Sequence, residues 1–121
     1  MLLDSNIIIY AIKPEFGDLR KLIVEHSPAV SAISYLEVLG YHKMTAADKQ
    51  DFVEFFNTSQ IIPVSQSVLE QAIRFRQQRK MSLGDSIVSA TAMLNNLTLM
   101  TANVKDFRWI QDLKLLNPLI E

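Results

Sequence analysis

Short apolar runs alternate with longer stretches of helical period along the chain, and a chain patterned this way builds βαβ units into a parallel sheet. Met1-Leu2-Leu3, Ala29-Val30-Ser31, Ile61-Ile62 with Val64, Leu97 to Met100, and Lys114 to Leu116 have strand length. Between them, helices are predicted over Ser5 to Ile12, Asp18 to His26, Tyr35 to Lys43, Asp48 to Asn57, Ser67 to Lys80, from Asp85 to Leu94, and Val104 to Ile110. The expectation is an α/β domain. With 121 residues, 49% of them hydrophobic, the chain can bury one core, so residues 1–121 are read as a single domain.

Punctuation and periodicity refine this outline. Pro14 and Gly17 break the chain before the second helix, and Pro28 resets it before the second strand. Pro63 donates no ladder hydrogen bond, which puts the strand at Ile61-Ile62 on a sheet edge or ends it there. Phe52, Phe55 and Phe56 recur at helical spacing and read as core residues. The helix after Asp85 has almost no polar face beyond Ser89 and Thr91 and should be largely buried.

Several classes of chemistry are excluded by composition. Without cysteine there is no disulfide, thiolate metal site or cysteine nucleophile, and nothing argues for an oxidising compartment. The apolar runs are too short to span a membrane and no targeting signal is visible, so a cytoplasmic protein is expected. A formal net charge of −1 does not mark a nucleic-acid binder, so any such role must rest on local clustering. His26 and His42 have no ligand spacing and read as surface or helix-end residues, which argues against zinc.

Three acids stand in similar settings: Asp4 where the first strand becomes a helix, Glu37 early in a helix, and Asp85 after Gly84 at a helix start. Each taken alone reads as a cap, because Ser34-Tyr35-Leu36-Glu37 and Ser82-Leu83-Gly84-Asp85 fit the capping box and Asp4 can cap the helix after it. Taken together they read differently. Strand-to-helix junctions of a parallel sheet share one edge, where ligands bind, so acids at several junctions converge. Unit charges 4 Å apart repel by about 4 kcal/mol at an effective dielectric of 20. Helix dipoles offset part of that, and a hard divalent cation, Mg²⁺ or Mn²⁺, offsets it more completely.

The same residues resemble a known family. Leu2-Leu3-Asp4-Ser5-Asn6 with Ile7-Ile8 resembles the opening strand and D-[ST]-N signature of the PIN domain, and in particular of VapC-type toxins of toxin–antitoxin pairs. Ser31-Ala32-Ile33-Ser34-Tyr35-Leu36-Glu37 resembles the second motif, Leu83-Gly84-Asp85-Ser86-Ile87-Val88-Ser89-Ala90 the third, and Thr101-Ala102-Asn103-Val104-Lys105-Asp106-Phe107 the closing T-x-[ND]-x-x-D-F segment. The resemblance runs nearly end to end. It implies a three-layer α/β/α fold around a parallel sheet of about five strands.

It also implies a metal-dependent endoribonuclease, with Asp4, Glu37 and Asp85 as metal ligands and catalytic carboxylates. Where the family often has Asp this chain has Asn103, so Asn103 as a fourth ligand and Asp106 as a supporting catalytic acid both stand open. Ser5, Asn6 and Thr101 are candidates to orient a carboxylate or the scissile phosphate. Arg74, Arg76, Arg79 and Lys80 form the local basic cluster, and Arg76, Arg79 and Lys80, read as one helical face, are candidates to bind RNA. The resemblance further implies a cognate antitoxin partner and a homodimer, with apolar residues of Tyr35 to Met44 and Phe52 to Phe56 as interface material. The Asn103 departure leaves a second reading, a catalytically silent PIN-like module that binds RNA or protein. A phosphoacceptor receiver domain needs an acidic pair after its first strand, which Ser5 and Asn6 do not supply.

Overall fold

A computed structural model describes residues 1–119 of the chain. The elements run β1 (Leu2–Leu3), α1 (Ser5–Ala11), a 3-10 turn (Pro14–Phe16), α2 (Gly17–Glu25), β2 (Ala29–Ser31), α3 (Ala32–Leu39), α4 (Ala46–Asn57), β3 (Gln60–Ile62), α5 (Gln66–Gln78), α6 (Leu83–Leu94), β4 (Leu99–Met100), α7 (Val104–Phe107) and β5 (Leu115–Leu116). The strands form one sheet in the order β3-β2-β1-β4-β5, and every pairing is parallel. β1 is central, with Leu2 opposite Ala29 and Leu99, and Leu3 opposite Val30 and Met100.

Because side chains alternate across a strand, this register sorts the core into two halves. Leu2, Ala29 and Leu99 point to one face, where they meet Val68, Ala72 and Phe75 of α5, Val88 and Ala90 of α6, and Phe107 of α7. Leu3, Val30 and Met100 point to the other, toward Ile7 and Ile8 of α1, Leu19 and Ile23 of α2, Val38 of α3, and Phe52 and Phe56 of α4. Helices cover both faces, which is the three-layer α/β/α arrangement expected. Each fully buried Leu, Ile or Phe in these clusters contributes about 1.5–3 kcal/mol.

Local chemistry accounts for the elements. β3 is an edge strand, as Pro63 suggests, and its residues are less buried than those of β2, the other three-residue strand. α6 is the buried helix expected after Asp85, and its small polar residues bond back into their own helix: Ser86 Oγ donates to Leu83 O (2.7 Å), Ser89 Oγ to Asp85 O (2.8 Å) and Thr91 Oγ1 to Ile87 O (2.7 Å). That leaves them free to lie in the interior without stranded donors. Among the described residues no helix is long and apolar enough to cross a membrane.

Of the helix boundaries that differ from expectation, two matter to the site. α3 starts at Ala32 rather than Tyr35, because Ser31 caps it by accepting the Ile33 N–H at 3.2 Å. α5 stops at Gln78, and Arg79 is already extended, with φ −159° and ψ 150°.

Candidate active site

The sheet's order turns back on itself between β1 and β4, since β2 and β3 build out on one side of β1 while β4 and β5 lie on the other. In an open parallel sheet the crevice beyond the strand ends at such a switch point is where ligands bind. Asp4 stands there, one residue past β1, and Thr101 stands beside it, one residue past β4.

Asp4 is 6% exposed and both of its oxygens are engaged. Oδ1 accepts the Ser5 N–H at 2.8 Å, so Asp4 is indeed the N-cap of α1, and Oδ2 accepts the Thr101 hydroxyl at 2.8 Å. The Thr101 oxygen in turn accepts the Asn103 N–H at 3.0 Å. Its one proton is therefore committed to Asp4. Capping uses only part of the carboxylate's acceptor capacity, which amounts to about four lone-pair sites, so Asp4 serves the helix and still presents charge to the crevice.

Glu37 is not a helix cap. It lies near the end of α3, far from the cap that Ser31 supplies, and its Oε1 accepts the Ser5 hydroxyl at 2.9 Å. The buried Ser34 stands behind, its Oγ 3.1 Å from that of Ser5. The carboxylate of Glu37 rests against Gly84: a Cβ at that glycine would stand 2.5 Å from Oε2. A hydrogen at position 84 is thus what allows α3 to bring its acid against the first turn of α6.

Asp85 occupies that first turn. Ser82 caps α6 by accepting the Asp85 N–H at 3.1 Å, as the capping pattern predicts. The Asp85 carboxyl is half-buried, and its pKa is pushed up to about 6 by burial first, then by the charges of Asp4, Asp106 and Glu37, against a hydrogen bond from Ser82. Burial likewise raises Asp4 above the ordinary range, opposed by its bonds from Thr101 and Ser5, with Asp106 adding to the rise. No positive group figures among these causes. The acids therefore converge on Asp85, on which the charges of Asp4, Asp106 and Glu37 all bear, while that of Asp106 also bears on Asp4.

The closing segment divides its two candidates. Asp106, exposed on α7, acts on both Asp4 and Asp85, whereas Asn103 is half-buried just before α7 and caps it with no side-chain bond. Asn6 is half-buried on the first turn of α1, and the bonds that gather the acids run through Ser5 and Thr101 instead. His26 and His42 are exposed, His26 at the end of α2. Among the described residues no three His, Asp or Glu groups stand as a ready-made metal cage. The donor set is nonetheless one that a hard cation takes: carboxylate and hydroxyl oxygens, no sulfur or imidazole, and an uncompensated excess of negative charge.

An open cleft of about 580 Å³ adjoins the acids, lined by Asp85, Asp106, Ser82 and Met81 together with Arg79, Lys80, Lys105 and Trp109. The shared helical face expected for Arg76, Arg79 and Lys80 does not exist, because α5 ends before Arg79. Arg79 and Lys80 reach the cleft from the loop. Arg76 stays on the helix, and its Nε donates to Met81 O at 3.2 Å, fastening that loop. Sequence reasoning missed Ser34, Gly84, Lys105 and Trp109. Only Gly84 left a signal, a small residue directly before the acid. A larger hollow of about 840 Å³, lined in part from α2 and α4, lies toward the other strand ends and holds none of these acids.

Comparison with known proteins agrees with this fold. A family model described as the PIN domain matches residues 1–112. A chain in the solved structure of a toxin-antitoxin complex from Klebsiella pneumoniae is 32% identical, with a TM-score of 0.76, covering 99% of this chain and 98% of that one. A chain of VapBC2 from Rickettsia felis, solved bound to a DNA fragment from their promoter, is 25% identical with a TM-score of 0.78 and 96% coverage of each. A chain of DNA-bound VapBC from Salmonella typhimurium has a TM-score of 0.80 at 19% identity and 95% coverage of each, a likeness of fold. No curated protein matches the sequence.

Proposed function

The chain belongs to the PIN domain family, and from that premise we propose that it is a metal-dependent endoribonuclease, the toxin of a toxin–antitoxin pair. The observation that carries the reading is the gathering of Asp4, Glu37, Asp85 and Asp106 at the switch point of the sheet, where burial raises the proton affinity of Asp4 and Asp85 and the neighbouring carboxylates add to the rise.

Asp4, Glu37 and Asp85 would hold Mg²⁺ or Mn²⁺, with Asp106 rather than Asn103 as the fourth acidic group, since Asp106 is the one whose charge reaches the others. Bound there, such an ion supplies charge neutralisation at the scissile phosphate and acidifies water for attack. The chain's own residues prepare the place. Thr101 and the Ser5 N–H fix the two oxygens of Asp4, and the Ser5 hydroxyl fixes Glu37, so the candidates Ser5 and Thr101 orient carboxylates rather than phosphate. Asn6 keeps the substrate-orienting role proposed for it. Asp85 must be ionised to serve as a ligand, which couples cation binding to release of its proton. Arg79 and Lys80 contact RNA beside the acids, while Arg76 supports their loop.

The neighbours solved as toxin-antitoxin complexes support a cognate antitoxin as partner. Tyr35, Leu36 and Tyr41 with Val53 of α4 are exposed and supply an apolar face for a homodimer. An RNA substrate and a chain without cysteine are consistent with work in the cytoplasm.

Purified protein incubated with total RNA and Mg²⁺ or Mn²⁺ should cut it, chelation should stop the cutting, and Asp4→Asn should abolish it along with growth inhibition on expression. Sequencing the RNA ends would identify the target. No cutting with either ion, together with an Asp4→Asn variant of unchanged cation affinity and unchanged effect on growth, would leave a silent binding module, the reading that Asn103 favours.

A further inference from the structure

Trp109 is the only tryptophan of the chain, and it lies in the cleft beside the acids. Its ring is fixed on two sides. The indole Nε1 donates to the backbone carbonyl of Asp106 at 3.0 Å, and Phe75 meets the ring edge-on, 5.9 Å away at 81°. Over the indole lies the Arg79 guanidinium, its Cζ 5.5 Å from the ring centroid, delivered there because α5 stops one residue earlier. Lys80 follows in the chain and Lys105 of α7 lines the same cleft, so the cleft carries Arg79, Lys80 and Lys105 with Asp85 and Asp106. In a protein of net charge −1, this is a local excess of positive charge set against the acidic crevice.

We propose that this cleft is a base-stacking subsite for single-stranded RNA. A nucleobase lies on the outer plane of the Arg79 guanidinium, which Trp109 backs, and Lys80 and Lys105 take the adjoining phosphates. The proposal rests on the ribonuclease reading and names how that site selects its substrate. A guanidinium is planar, delocalised and weakly hydrated, so it stacks on an indole with one face and offers the other to a second flat ring. Unpaired bases are bound in this manner on aromatic and arginine planes, with tolerance for base identity, because every base has a π-face. Lysines are point charges suited to phosphates. The platform is also tied to the chemistry. The carbonyl that anchors Trp109 belongs to Asp106, so a base stacked there places its neighbouring phosphodiester toward Asp85 and Asp106. Bases already paired in a duplex are stacked within it and cannot use the platform.

Trp109 reports on its own cleft by fluorescence. With divalent cation chelated, so that no cutting occurs, the intact protein is titrated with a short single-stranded RNA, with the same strand lacking its bases, and with the RNA annealed to its complement. The intact single strand should change Trp109 emission saturably and bind about tenfold more tightly than the abasic strand, and the duplex should behave like the abasic strand. Arg79→Lys should erase that gap while keeping the salt dependence of binding. Lys80→Ala with Lys105→Ala should lower the salt dependence and keep the gap. Equal binding of intact and abasic strands, or a gap that survives Arg79→Lys, overturns the stacking subsite. If cation-dependent cutting persists in that case, the ribonuclease reading stands without it. If there is neither cutting with Mg²⁺ nor RNA binding, both fall.

Discussion

The hydroxyl of Thr101 reaches Oδ2 of Asp4 at 2.8 Å, joining the residue after β4 to the residue after β1 across 97 positions of sequence. The bond is fully buried, and it holds a carboxylate that burial otherwise pushes toward protonation. Thr101→Val keeps the shape and removes the donor. The variant should be destabilised by about 1–3 kcal/mol, as expected when a buried acceptor loses its partner. Cation affinity or cleavage should fall by about 10–100-fold, the usual effect of losing a group that orients a ligand. Denaturant unfolding and cation titration read the two effects, and Thr101→Ser should recover most of both.

Gly84 separates stability from activity. Alanine is favoured over glycine within a helix by up to about 1 kcal/mol, yet a Cβ there would press on the Glu37 carboxylate. Glu37 is exposed and can swing aside, so Gly84→Ala should unfold at the same or a higher temperature than the parent. Its cleavage rate should be lower by at least about tenfold, because misplacing a catalytic group by an ångström is costly. A variant both stable and fully active would show that Glu37 has no part in the reaction.

The Asp85 carboxyl gives a pH dependence of unusual sign for an acid. Its pKa is higher in the fold, at about 6, than the ordinary 3.8, so between those values the folded chain binds more protons than the unfolded one. By linkage this contribution to stability is full below about pH 4 and is lost as pH rises to about 6. Melting curves of cation-free protein should show that decline, Asp85→Asn should remove it, and above pH 6 the Asp85→Asn variant should melt higher than the parent.

Cation addition should reverse the same strain. An ion that binds only the folded chain stabilises it by about 2.7 kcal/mol at a concentration one hundred times its dissociation constant. Mg²⁺ or Mn²⁺ should therefore raise the melting temperature of the parent, more so as pH passes about 6 and Asp85 ionises. In Asp4→Asn and Asp85→Asn the rise should be largely absent; a full rise in both would move the cation elsewhere.

Where periodicity and punctuation act locally, the chain was readable. Leu2-Leu3, Ala29-Val30-Ser31 and Leu99-Met100 fall where apolar strand-length runs predict them, Pro63 marks the edge strand, and Phe52 and Phe56 lie in the core. The acids at Asp4 and Asp85 were legible because junction residues of a parallel sheet have nowhere else to point. Competing local patterns misled at two places. Ser31 and Ser34 both resemble caps, and which one acts is decided by how β2 hands over to α3, so Glu37 was misread as part of a cap box. The basic run Arg76 to Lys80 has helical spacing, but its last residues leave the helix to reach Trp109, a partner thirty residues away that no local pattern announces. The crowding of Glu37 against Gly84 is likewise a tertiary fact, visible only once α3 and α6 are packed.

The position of β4 in the chain also governs when the site comes into being. Domains generally fold as units during synthesis, and a growing chain acquires Asp4 and Glu37 long before Asp85, Thr101 or the strand that seats Thr101 next to β1. Until β4 docks, the central strand has a bare edge, Asp4 lacks its hydroxyl partner, and the crevice lacks one wall. A protein whose proposed substrate is RNA thus becomes competent only once β4 has been made and docked, and the order of its strands acts as a delay.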